Sequence, residues 1–149
     1  MSNNKLVTIT KVFLDIMFYI GVLACLSLPW SMRYFGRIFT IYQAYYFPLI
    51  FVFEAAGILG VIIIWKLRQI FKTVRDQNCF VRENVENMKI MGMSSFGIVI
   101  LMACRLFFVV TPSILVLILT FLLAGLFSLV LSQVFKVAID YKEENDLTV

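Results

Sequence analysis

Two side chains stand where a charge is expensive. Glu54 lies inside the apolar run LIFVFEAAGILG and Arg105 inside VILMACRLFFVV. An ionisable residue in a membrane-length apolar run faces protein or water rather than lipid. Two chemistries fit. One is a structural ion pair between neighbouring helices. The other is a proton or ligand site built on the carboxylate. With helical rise, Glu54 lies roughly 14 Å and Arg105 roughly 8 Å below the same end of their runs. That difference is within reach of an arginine side chain, so the spacing predicts an intramembrane pair.

Little else in the chain could carry catalysis. There is no histidine among its 149 residues, which removes the commonest general base and metal ligand. No Gly-rich phosphate loop, GxSxG elbow or metal-spaced ligand set occurs. The reading is therefore of a protein that is not an enzyme, with no catalytic residue, no metal and no cofactor. Cys25, Cys79 and Cys104 form no CxxC pair. Cys25 and Cys104 sit in apolar runs and read as small apolar filler, with no structural disulfide.

The elements that must position these residues are apolar helices. Hydrophobic residues make up 62% of the chain and charged ones 15%, with mean hydropathy +0.95. A soluble domain carries about 25% charged residues, so this chain has too little polar surface for one. Four runs are long enough for a hydrocarbon core that takes about 20 residues per helix. They cover residues 7–28, 45–65, 90–110 and 114–137. The expected fold is all-α: a polytopic membrane protein with four transmembrane helices in an antiparallel bundle, one domain over 1–149.

Several residues mark the ends of these spans. Pro29 is expected to end the first, and the aromatic stretch from Pro29 to Gln43, with Tyr45 and Tyr46 just beyond, to lie along the membrane surface. Asp15 reads as an interfacial charge neutralising a nearby lysine. Ala56 with Gly60, and Ala124 with Ser128 and Ser132, are spaced for close helix approach. Thr111-Pro112-Ser113 reads as a tight turn that makes the last two spans antiparallel neighbours.

The long polar segment 66–89 divides the chain. It holds Lys66, Arg68, Lys72, Arg75, Arg82 and Lys89, six of the thirteen basic residues. Asp76-Gln77-Asn78 has turn chemistry. Val81, Val85, Met88 and Met91 then recur at helical spacing, predicting a short amphipathic helix between spans two and three. Lys66, Arg68, Lys72 and Arg75 are placed to meet anionic lipid headgroups. No base-stacking platform accompanies the charges, so direct nucleic-acid binding is not expected.

Basic residues also give orientation. Lys5, Lys11, the six central ones, Lys136 and Lys142 fall on one side, and Arg33 and Arg37 on the other. The richer side is cytoplasmic. The chain is expected in the cell membrane, multi-pass, with both termini and the acidic tail 138–149 inside.

Two segments carry a resemblance. Phe80-Val81-Arg82-Glu83-Asn84-Val85-Glu86-Asn87-Met88-Lys89-Ile90-Met91-Gly92 matches F-x-x-x-N-x-x-x-(L/M)-(K/R)-x-(I/M)-G. Val134-Phe135, followed by Glu143-Glu144-Asn145-Asp146-Leu147-Thr148-Val149, matches a V-F … E-x-x-D-L-T-(V/I) ending. With four spans, these resemble a bacterial family of small membrane proteins classed as a domain of unknown function, DUF2975. Its members are commonly encoded beside an Xre-type helix-turn-helix regulator. The resemblance implies no established activity. It does imply that Phe80, Asn84, Asp146, Leu147 and Thr148 lie on the cytoplasmic side, where the tail could dock on the loop helix and meet a soluble partner.

Three functions remain open on this reading. The first is a regulatory protein binding a cytoplasmic partner, such as a helix-turn-helix transcription regulator, through central loop and tail. The second is a small transporter or efflux subunit using Glu54. The third is an immunity-type protein against a membrane-active peptide, working through the aromatic outer loop. Membrane lipids are partners in each case, and a homo-oligomer is compatible with all three.

Overall fold

The computed structural model describes residues 2–38, 40, 44, 46–76, 78–108 and 110–148. These form four long helices: α1 (Ser2–Ile38), α2 (Tyr46–Arg75), α3 (Arg82–Arg105) and α4 (Pro112–Thr148). No strand occurs among the described residues. All four are long and apolar enough to cross a membrane, as in a multi-pass membrane protein.

The contacts set a simple order. Asp15 meets Arg68, Gly21 meets Val61 and Cys25 meets Gly57, so α1 and α2 run antiparallel. Thr73 meets Asn84, Leu59 meets Gly97 and Phe53 meets Arg105, so α2 and α3 do too. Phe80 with Phe135, Gly92 with Leu129 and Arg82 with Asp140 give the same relation for α3 and α4. Each helix packs on its neighbours in sequence, and among the described residues α1 and α4 do not touch. The bundle is thus an up-and-down row with α2 and α3 in the middle.

The row has a physical cause in α3. Its apolar stretch is 39% buried, against 6%, 6% and 11% for those of α1, α2 and α4. Gly92, Ser94, Ser95, Gly97 and Arg105 interrupt its apolar surface, so lipid is a poor solvent for it and protein must cover both sides. Small residues let the neighbours approach. A Cβ added at Gly92 would stand 2.8 Å from Leu129 and 3.2 Å from the Gly125 carbonyl oxygen on α4. One at Gly97 would stand 2.9 Å from Leu59 on α2. Between them Ile98, Met102 and Ile114 form the buried core, packed by Val52, Ala56, Leu59 and Ile63 of α2 and by Ile118 and Phe121 of α4.

The register aligns the charges. Lys11, Lys72 and Lys136 reach one level on three helices, beside Arg82 and Lys89 of α3. Arg33 lies about six turns, roughly 33 Å, along α1 from Lys11. A hydrocarbon core is about 30 Å thick, so the two levels mark its faces.

Several expectations are revised. Pro29 does not end α1, which continues to Ile38 with the proline inside it. Proline is tolerated in membrane helices whose surroundings satisfy the freed backbone groups. Trp30, Tyr34 and Phe35 are therefore helical and exposed, while Phe39, Tyr42, Gln43 and Tyr45 of that aromatic stretch lie outside the described residues, as does Gln77 of the second turn. The loop helix expected at 81–91 and the third span expected at 90–110 are one helix, α3, because nothing between Met91 and Ser95 breaks it. That helix stops at Arg105, and the turn to α4 falls at Leu106–Phe108 rather than at Thr111–Ser113. The tail is helical too, as the last turns of α4. Close approach uses Gly57 rather than Gly60, which has nothing near it. On α4 it uses Gly125 and Ser132, while Ala124 is exposed.

Candidate functional site

Two regions hold the residues of interest. The first is the basic end, where α2, the 76–81 connection, α3 and the end of α4 converge. The chain leaves α2 through Asp76 N–H to the Lys72 carbonyl and Asn78 N–H to the Thr73 carbonyl. Val81 is extended and precedes α3 without a side-chain cap. Asn84 closes this turn. It is fully buried, and its amide donates to the Thr73 hydroxyl and to the Cys79 carbonyl, both at 2.7 Å. The Thr73 hydroxyl in turn donates to the Ile70 carbonyl at 2.6 Å. Both amide hydrogens of Asn84 are thereby used. Its position is inward, as a fastener of the connection rather than a residue on its surface.

The end of α4 is tied to the same structure. The Phe80 and Phe135 rings pack with centroids 5.0 Å apart. Arg82 donates to Asp140 at 3.3 Å and to Glu143 at 2.9 Å. Asp140 and Glu143, three apart on one helix face, grip one guanidinium. Phe80 remains nearly half exposed, and Tyr141, Asp146 and Leu147 are exposed. Thr148 is the last residue of α4.

Of the four residues expected at lipid headgroups, Arg68 is already engaged. It donates to Asp15 at 2.6 Å and lies 4.6 Å over the Phe18 ring. Asp15 thus pairs across to α2 rather than with a neighbouring lysine. Lys66 lies over Trp65 and near Gln69, while Lys72 and Arg75 are exposed.

The second region is intramembrane. Glu54 and Arg105 lie at nearly the same depth in the register but on opposite faces of α2. The Arg105 guanidinium sits 4.7 Å over the Phe53 ring, between α2 and α3. Glu54 is one residue on, hence about 100° around the helix, and lines a groove toward α1 with Cys25. No ion pair joins them, and Oε2 of Glu54 and Nε of Arg105 are both buried without a hydrogen-bond partner. The expected pair fails on angle, not on depth. Arg105 is held by ring contact and by its place at the C-terminal end of α3, where the helix dipole favours a cation.

The sequence reading also missed Asn87. It is 3% exposed, on the buried face with Asn84. The three-residue spacing of the two asparagines was the available signal. Among the described residues no group of three or more Cys, Asp or Glu side chains could hold a metal ion.

The chain belongs to the DUF2975 family. That family's model, described as a protein of unknown function, covers residues 30–149. No curated protein and no solved structure matches the chain. Within the DUF2975 match lie Glu54, Asn84, Arg105 and the whole of α2, α3 and α4, whereas Asp15 and Cys25 precede it.

Two outcomes test this geometry. Asn84→Ala leaves the Thr73 hydroxyl and the Cys79 carbonyl short of a donor, and should cost about 1–3 kcal/mol in detergent unfolding. Asn84→Asp faces that carbonyl with an acceptor and should cost more. Glu54→Gln and Arg105→Gln should be additive to within about 0.5 kcal/mol in a double-mutant cycle. A larger coupling energy means the two charges meet.

Proposed function

We propose that this is a non-enzymatic regulatory membrane protein whose basic end faces the cytoplasm and docks a small helix-turn-helix regulator on the end of α4. One observation carries the reading. Arg82 and Phe80 hold α4 against α3 just where α4 leaves the membrane, so its last turns form a fixed platform rather than a loose tail. Past Lys136 the helix continues for roughly 18 Å. It presents Glu143, Glu144 and Asp146 with exposed Tyr141 and Leu147. DNA-binding proteins are basic because they neutralise phosphates, so an acidic helix with apolar anchors complements one. A regulator held there is kept from its operator.

Orientation comes from the basic level of Lys11, Lys72, Arg82, Lys89 and Lys136 against Arg33 and Arg37 at the other face. An impermeant maleimide should label Cys79 in inside-out vesicles and not in intact cells. Labelling in intact cells alone reverses the orientation.

Docking is tested with the protein in nanodiscs and a purified Xre-type helix-turn-helix regulator. Binding should weaken with salt and fall at least tenfold when Glu144 and Asp146 become Gln and Asn. Truncation after Tyr141 should abolish it while leaving membrane insertion intact. Undiminished binding by the truncated chain removes the α4 end as the docking site.

A second reading, a small transporter working through Glu54, draws on the unpartnered carboxylate oxygen at the α1–α2 seam.

A further inference from the structure

The α1–α2 seam contains a groove of about 350 Å³ lined by Val22, Cys25 and Leu26 of α1 and by Glu54, Ile58, Val61 and Ile62 of α2. That volume is within the roughly 300–1,000 Å³ of small-molecule sites. Leu26 and Ile58 are exposed, so the groove opens on the membrane-facing side of the row. Its walls are aliphatic, and its one charged side chain is Glu54, whose Oε2 is buried with no hydrogen-bond partner. A buried polar atom left unmade is costly. The nearest intramembrane cation of α3, Arg105, is turned to Phe53 on the other face of α2. The groove thus sets one unpartnered carboxylate oxygen in an apolar trough.

We propose that this groove binds an apolar organic cation, with its charge against Glu54 and its apolar body along Val22, Leu26, Ile58, Val61 and Ile62. A lipid acyl chain would fill the trough but leave the carboxylate unmet, whereas a small polar cation would meet the carboxylate but not the walls. Only a molecule with both parts satisfies the site. Gly57 shapes it: a Cβ there would stand 2.7 Å from the Cys25 sulfur, so the glycine keeps the Cys25 side chain seated back on α2. The proposal stands on the groove alone and holds whether binding leads to transport or to a change at the docking end.

The test uses the full chain in phosphatidylcholine nanodiscs with radiolabelled tetraphenylphosphonium as the probe. Binding should be saturable, competed by other apolar cations and not by neutral triphenylmethane. Glu54→Gln should weaken it at least tenfold, and Glu54→Asp should retain most of it. Affinity within twofold of wild type in Glu54→Gln, or equal competition by triphenylmethane, overturns the proposal in favour of a lipid-filled trough. A second measurement leaves Glu54 in place. In a Cys79→Ser, Cys104→Ser background, tetraphenylphosphonium should slow alkylation of Cys25 by N-ethylmaleimide at least threefold. An unchanged alkylation rate overturns the site without reference to any Glu54 variant.

Discussion

The structure depends on one helix that lipid cannot solvate well. α3 carries glycine, serine and a buried arginine along a path that crosses the membrane. In water such a helix could turn its polar side outward. In hydrocarbon every exposed polar group costs free energy, so protein has to cover it. Covering it takes a helix on each side, which α2 and α4 supply because short connections make them its neighbours in sequence. The up-and-down order follows from connection length, and the central place of α3 follows from composition. The outer faces of α1 and α4 are then free to be uniformly apolar, and they expose Leu, Ile, Val and Phe along most of their length.

The same helix organises the basic end. Because α3 starts well before the membrane, its first turns bring Asn84 against the end of α2 and Arg82 against the end of α4. The two contacts differ in kind. The Asn84 amide is buried and satisfies a backbone carbonyl that would otherwise be stranded, so it bears on stability. The Arg82 pairs are solvent-exposed, where ion pairs contribute little energy. They set the direction of the α4 end rather than the strength of the fold. A buried fastener and an exposed guide together place the acidic end of α4 at a defined position beside the membrane.

Much of this was legible in the residues. Four spans and the polar divider could be read from apolar length and charge distribution. What escaped was whatever depends on the angle around a helix or on the solvent. Depth alone made Glu54 and Arg105 partners. Their assignment to opposite faces of α2 required knowing that α2 is flanked on both sides. Pro29 reads as a helix end by rules learned in water, yet in a membrane stopping a helix would expose more backbone than the proline disrupts. Asn87 stands among charged residues in the sequence, yet it shares the buried face of α3 with Asn84. Gly57 and Gly60 are equally small, and only the crossing of α1 distinguishes them.

The row is unequally held along its length. The α3–α4 seam has glycines facing each other's helix, a shared aromatic contact and the Arg82 pairs. The α2–α3 seam has Ile98 and Met102 against Val52, Ala56, Leu59 and Ile63, and the Asn84 bonds. The α1–α2 seam has Gly21 against Val61, Gly57 against Cys25 and one partly exposed ion pair, Asp15 with Arg68. Beside these lies a groove instead of packed side chains. Local stability follows buried contact, and in lipid no hydrophobic force presses two apolar helices together. α1 is therefore the helix least fixed to the rest. Glu54 lies on the one seam that can open without exposing the polar core of α3, and that placement lets a carboxylate near the lipid coexist with a stable bundle.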